Sequence, residues 1–436
     1  MSLRRATASA VTLVLGLAAC QEPGLEPSLA TDQNALAPSF YRTASFEQFT
    51  PIAGSAACVA PPSLLADFAT YQPLVLPQGF AQRILADEIG GFRPVAGSGG
   101  DLPDMMTLNE TGPQAGRFMY RTHEVGSNGA LTVTDLETGI TTLADQQSHY
   151  EALDGIVWTP WGTVLFAEER IVASLKDPQA PNAVGGLTYE YDPATKTSRP
   201  LLAFGARSHE GLRFDRDGNL YGISESTPGV NGSGAIYKFV PDVKGDLSSG
   251  QLYALKVTDA STREGAAEWV ALDRDAVKIN SDAEAIAKSA TGWGRPEDIE
   301  IIRLQGGTFR EVMFVTSTSE DLVLRIELNG DKATVSNYVK EGINVTGLDN
   351  PDNLALDVHG NLYIIEDNGP GDIWAVDRSE RTRKVASKVS LFASVSDCSA
   401  EPTGLYFDRT GRKAWVHVQH AGGVLRNDLF VELTRP

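Results

Sequence analysis

The chain has 436 residues, 42% of them apolar, with 42 Gly and 23 Pro; this is the composition of a turn-rich globular protein and excludes disorder throughout. A formal charge of −19, from 56 Asp and Glu against 37 Lys and Arg, argues against nucleic acid as a partner and favours cations. Length alone allows two or three domains, or one body built from β repeats.

The first twenty residues, MSLRRATASAVTLVLGLAAC, set Arg4 and Arg5 ahead of an apolar stretch of about ten residues, too short to span a bilayer, and read as an export signal. The LAAC ending resembles the lipobox of bacterial lipoproteins, which implies cleavage before Cys20 and acylation of that cysteine. At ~0.8 kcal/mol per buried methylene, several acyl chains on Cys20 would hold the protein to a lipid bilayer. Gln21 fits the periplasmic side of a Gram-negative outer membrane, or the cell surface. Residues 21–60 are rich in Pro, Ala, Ser and Gln without periodicity and read as a tether, leaving 61–436 as the folded body. Cys58 and Cys398 are either a disulfide pinning the start of that body to its end or two free buried thiols.

Further along, a repeat emerges. DGIVWTPWGTVLFAEE (154–169), EGLRFDRDGNLYGISE (210–225) and DNLALDVHGNLYIIED (352–367) align without a gap: an acid, an apolar strand, a turn ending in Gly, a second strand and another acid. TGLYFDRTGRKAWVHVQH (403–420) is a fourth copy with Thr403 in the acid's column and Glu401 just upstream, while the units at 103–124 and 296–318 have longer turns. Further alternating runs between the units make four strands per unit, and six units predict an all-β, six-bladed β-propeller. Residues 76–87 and 424–433 are spare strands able to share a blade and close the ring. The main helix candidate is SDAEAIAKSA (281–290), with Ser281 and Glu284 as a capping box, either packed over one mouth or acting as a lid.

In a propeller the first strands all begin at one end of the central channel, so Asp104, Asp154, Glu210, Glu297, Asp352 and Glu401 are expected around one axis. The second strands return to the same end, bringing Glu124, Glu168, Glu169, Glu225, Glu366 and Asp367. Such crowding calls for raised pKa values or bound multivalent cations. All-oxygen ligands suit hard ions, Ca²⁺ first and more than one of them, and the dearth of Cys and the scatter of His disfavour a zinc site. Turn chemistry explains Asp215, Asp217 and Asp357 but not a column in which Glu alternates with Asp. His123, His209 and His420 stand beside the acid columns, each as a ligand, a proton-transfer group or a strand-end residue bonded to a neighbour.

TPWGT (159–163) followed by EE (168–169), HE at 123–124 and 209–210, RPED (295–298), PDNLALDVHGNLYI (351–364), EPTG (401–404) and VQH (418–420) together resemble the blocks of the PhoX-type alkaline phosphatases. The resemblance implies a phosphomonoesterase with a central cluster of iron and calcium, acting on a small-molecule phosphate ester. It implies metal ligands among Glu168, Glu169, Glu210, Glu297, Asp352 and Glu401, beside Glu124 and Asp154 from the columns. Arg295 of RPED becomes the phosphate-contacting arginine, with Glu297 and His123 as the other candidate catalytic residues. Two departures stand out. Asp154 occupies the place of the family's iron-binding Cys, which disfavours iron and favours a hard-metal centre, and Thr122 replaces an Asn ahead of the first HE. A lactonase or esterase on the same fold, and a non-catalytic calcium-binding propeller, are the competing functions; a monomer is the expected state.

Overall fold

Each copy of the repeat folds as an antiparallel meander. The computed structural model describes residues 46, 48–59, 71–87, 102–226, 234–304, 310–422 and 428–435; the signal and Cys20 lie outside them. Strands Pro103–Leu108, Phe118–His123, Ala130–Asp135 and Ile140–Gln146 form the first sheet in that order, and Leu153–Trp158, Val164–Glu168, Thr188–Asp192 and Thr197–Pro200 the second. A later sheet runs Pro351–Leu356, Leu362–Glu366, Asp372–Val376, Val389–Val395, with Leu74–Val75 on its edge. In the last sheet Glu401–Phe407, Lys413–Gln419 and Leu429–Thr434 are completed by Ala81–Asp87, so the spare strands from the two ends of the body do share one sheet.

Between these four blades the chain departs from separate units. One ten-stranded sheet holds two meanders, one running from Arg213–Phe214 to Asp246–Val257 and the other from Pro296–Leu304 to Lys332–Lys340. Strand Gly265–Ala271 joins them by pairing with Asp246–Val257 on one side and Lys332–Lys340 on the other. That strand satisfies two outer edges at once and buries Ala267 and Trp269 in a core shared by both meanders. The architecture is therefore all-β and propeller-like.

The single α-helix among the described residues, Val277–Ala287, kinks at Asn280, whose φ of −159° and ψ of 100° are extended. The expected capping box is not what starts its second turn. Asn280 Oδ1 accepts the Ala283 N–H at 2.9 Å, while Ser281 donates to the Ala206 carbonyl and Glu284 accepts from the Asp273 amide. Val277 and Ala285 are buried in the core, and no helix residue reaches the channel mouth.

The segment expected to be tether is docked along its second half. Phe46 is buried against Phe80, Phe392 and Phe407, Ile52 donates its amide to the Leu391 carbonyl, and Ser55 donates to Asp372 at 2.5 Å. A disulfide joins Cys58 to Cys398. A few aromatic anchors thus outweigh a composition that reads as linker. Among the described residues no helix is long and apolar enough to cross a membrane.

Candidate metal centre at the channel mouth

The first strands of the repeats close a ring by direct backbone approach. A Cβ on Gly155 would fall 2.1 Å from the Glu210 carbonyl oxygen, one on Gly211 2.7 Å from the Asp298 Cα, and one on Gly404 2.4 Å from the Asp104 carbonyl oxygen. Glycine at these places allows neighbouring strands to touch at the axis. The acids are aimed by a shared irregularity. Pro103 pairs with His123 but Met106 with Arg121, so Asp104 and Met105 bulge out of the ladder. The same one-residue bulge falls between Leu153 and Ile156, Pro296 and Ile299, and Pro351 and Leu354. Bulges re-aim side chains, and here each delivers an acid, Asp104, Asp154, Glu297 or Asp352, to the channel.

These four line a cavity of about 260 Å³, together with Glu124, Glu169, Asp367 and Glu401 from the ends of neighbouring strands and from the last sheet. Carboxylate oxygens of Asp154, Glu169 and Glu210 all lie within 4.8 Å of one another. At that separation and an effective dielectric of ~20, two ionised carboxylates repel by about 3–4 kcal/mol. A hydrogen bond between Asp154 and Glu210 needs a shared proton. With both ionised, Asp154 Oδ1 and Glu210 Oε1 are buried without any partner. Burial first, then these like charges, push Asp154 up to about 7 and hold Asp104, Glu169, Glu210, Glu297 and Asp352 well above the usual carboxylate range. Asp367 is likewise pushed up to about 7 by burial and by Glu401.

Two basic side chains, Arg295 and His420, border the cavity. Arg295, at a φ of +48°, donates from Nε to Glu225 at 2.7 Å and sets Nη2 3.0 Å from Glu297 and 3.8 Å from Asp367. The Glu297 contact is an ion pair without hydrogen-bond geometry, since that oxygen remains otherwise unpartnered. His420 pairs through Nε2 with Glu401 at 3.3 Å, a bond that raises the imidazole; burial is the largest single influence on Glu401, but the His420 and Asp367 hydrogen bonds and the His420 charge together leave it below its ordinary value.

Of the residues singled out from sequence, Glu124, Asp154, Glu169, Arg295, Glu297, Asp352 and Glu401 border the cavity, and Glu210 stands beside it. Glu168 and His123 do not reach it. Adjacent strand residues face opposite ways, so Glu168 turns from the channel and accepts the Glu151 and Leu187 amides at 3.1 and 2.9 Å. His123 is fully buried within the first sheet, its Nε2 2.8 Å from Thr132 Oγ1, and His209 is buried between Thr188 and the Gly205 carbonyl. Asp104 and Asp367 belong with the ligand candidates, and His420 is the histidine at the mouth. Their signal was the repeat column itself, which outranks the family blocks here.

Whether this donor set suits a metal is answered by its orphaned oxygens: buried carboxylate atoms lacking hydrogen-bond partners, all hard ligands, with no thiolate at Asp154. Divalent hard cations fit.

The sequence profile of the family described as alkaline phosphatase PhoX matches residues 155–331. Pseudomonas fluorescens PhoX in complex with vanadate, a transition state analogue, is structurally similar at a TM-score of 0.60 and 15% identity, over 87% of this chain and 97% of that one. A functionally unknown protein from Desulfotomaculum acetoxidans aligns at 0.39 and 12% identity, over 73% of this chain and 82% of its own. No curated protein matches the chain.

Proposed function

The chain is a PhoX-type family member through its residues 155–331, and from that premise we propose that it hydrolyses small phosphate esters at the acid-lined mouth, with calcium as the resident metal. The observation that carries this reading is the convergence of buried, unpartnered carboxylate oxygens of Asp154 and Glu210 beside Arg295. The two meanders of the ten-stranded sheet count as two blades in this reading, making six first strands around one axis. Acylation at Cys20 would tether the enzyme to the periplasmic face of an outer membrane, or to the cell surface.

Asp104, Asp154, Glu169, Glu210, Glu297 and Asp352 would hold the metal. Bound calcium would supply Lewis-acid polarisation of the phosphoryl group and a lowered pKa for water. Arg295 matches phosphoryl oxygens as a bidentate fork and offsets the charge that gathers on them in the transition state. Its raised pKa, maintained against burial by Glu297 and Glu225, keeps it a permanent cation. His420, raised by Glu401, is placed at the rim to donate a proton to a leaving group.

A non-catalytic calcium-binding role is favoured by one observation: Arg295 already faces Glu225, Glu297 and Asp367. The test is to strip the mature protein with chelator, reload Ca²⁺ and assay nitrophenyl phosphate, bis-nitrophenyl phosphate and a lactone panel. Calcium-restored phosphate release that Arg295→Ala abolishes supports the proposal. Recovery of thermal stability without turnover supports the non-catalytic role, and lactone cleavage alone rejects phosphate chemistry.

A further inference from the structure

The bulges that aim the ring acids also take their main chain out of the ladder, and a buried carbonyl left that way needs a donor from elsewhere. The neighbouring blade supplies it. Thr122 Oγ1 donates to the Asp154 carbonyl at 2.6 Å, and Thr316 Oγ1 to the Asp352 carbonyl at 2.5 Å. His417 Nδ1 lies 2.6 Å from the Asp104 carbonyl. A carbonyl only accepts, so Nδ1 carries the proton, and Nε2 is then free to accept from Arg121 Nε at 3.2 Å.

We infer that Thr122, Thr316 and His417 are positioning residues, each of which reaches from the second strand of one blade to fix the bulged acid at the start of the next. The threonine choice is informative. In the same penultimate place of the second strand three other units carry Ala167, Ile365 and Val418, and the shorter strand of the fourth ends on Ile223, all fully buried and apolar. Burying a hydroxyl is unfavourable unless a partner compensates, and threonine stands only where the bond to the next blade is made. Thr316 ties both sides: its hydroxyl accepts the Asp298 amide at 2.8 Å while donating across to Asp352, linking the neighbour of Glu297 to the next ring acid. Thr122 likewise sits 3.2 Å from the Met105 carbonyl in its own blade. Thr122 therefore stays out of the cavity lining and holds inter-blade register instead.

The inference leans on the metal reading only for its effect on ion affinity, so the test has two readouts. Hydrogen exchange of the chelator-treated mature protein is followed in the peptides covering 153–158 and 351–356. Thr122→Val accelerates exchange about tenfold in the first and leaves the second at the wild-type rate; Thr316→Val does the reverse; Thr→Ser at either place restores it. Calorimetric titration with Ca²⁺ alone shows Thr122→Val weakened about tenfold and Thr122→Ser near wild type. Thr122→Ala serves where valine prevents folding. Unchanged exchange in 153–158, equal acceleration of both segments, or serine variants as impaired as valine ones would overturn the inference. Segment-specific exchange in a protein that binds no calcium upholds the positioning role and removes the metal reading instead.

Discussion

Two rings of acids occur in the same repeats, at opposite ends of the same strands, and only one of them is satisfied. At the turn end, Asp357 accepts the His359 and Asn361 amides at 2.9 Å each and the Asn361 side chain at 2.7 Å, and Asp215 accepts the Asp217 and Asn219 amides and the Asn219 side chain in the same way. Asp408 repeats the pattern with the Arg412 and Lys413 amides. At the mouth end, Asp154 and Glu210 keep buried oxygens with no donor, and each faces further carboxylates. Burial of an acid is thus not in itself a sign of function; burial without donors is.

The contrast can be broken in four ways. Arg295→Ala leaves Glu225 and Glu297 facing each other and removes the proposed phosphate fork, so kcat/KM for a phosphate monoester should fall at least about 100-fold. A fall under about threefold would take Arg295 out of the site. Neutralising the mouth with Asp154→Asn and Glu210→Gln should weaken Ca²⁺ about 100-fold in a calorimetric titration and at the same time raise the melting temperature of the chelated protein, because repulsion is relieved. A drop in that melting temperature would mean the acids are structural. Asp357→Ala should instead cost about 2 kcal/mol whether or not calcium is present, since its donors lose their acceptor; a calcium-dependent loss would erase the distinction between the two rings.

The smallest effect is expected from pH. Asp154 and Asp367 titrate near 7 in the folded chain, above the ordinary carboxylate value, so the fold favours their protonated forms. Their contribution to stability is full below about pH 4 and is lost as pH rises through about 7. Chelated protein should therefore melt a few degrees lower at pH 8 than at pH 6, and excess calcium should reverse the trend. A melting temperature that rises with pH in chelator contradicts the assignment.

Much of this was legible in the sequence because the repeat column carries it: a strand that begins with an acid in several copies places those acids on one ring whatever the loops do. What was not legible depends on side-chain direction and on partners far away in the chain. Glu168 and Glu169 are indistinguishable as letters, yet one ends a strand facing backbone amides and the other enters the channel. His123 sits beside a ligand candidate in sequence and on the opposite face in space. Asp104 and Asp367 stand in the right columns but lack flanking motifs of the HE or RPED kind. The pairing of Gly265–Ala271 with Lys332–Lys340 crosses about sixty residues and has no local signature. Phe46 gives none either, because one aromatic in a Pro- and Ala-rich stretch does not announce the pocket that receives it.

The central claim is that the mouth carboxylates are held together by divalent cations, and titrating Ca²⁺ into the chelator-stripped chain while following heat and melting temperature tests it most directly. Saturable uptake of more than one ion per chain with a rise in melting temperature is the predicted result. A chain that takes up no divalent ion and melts at the same temperature with or without it would contradict the account.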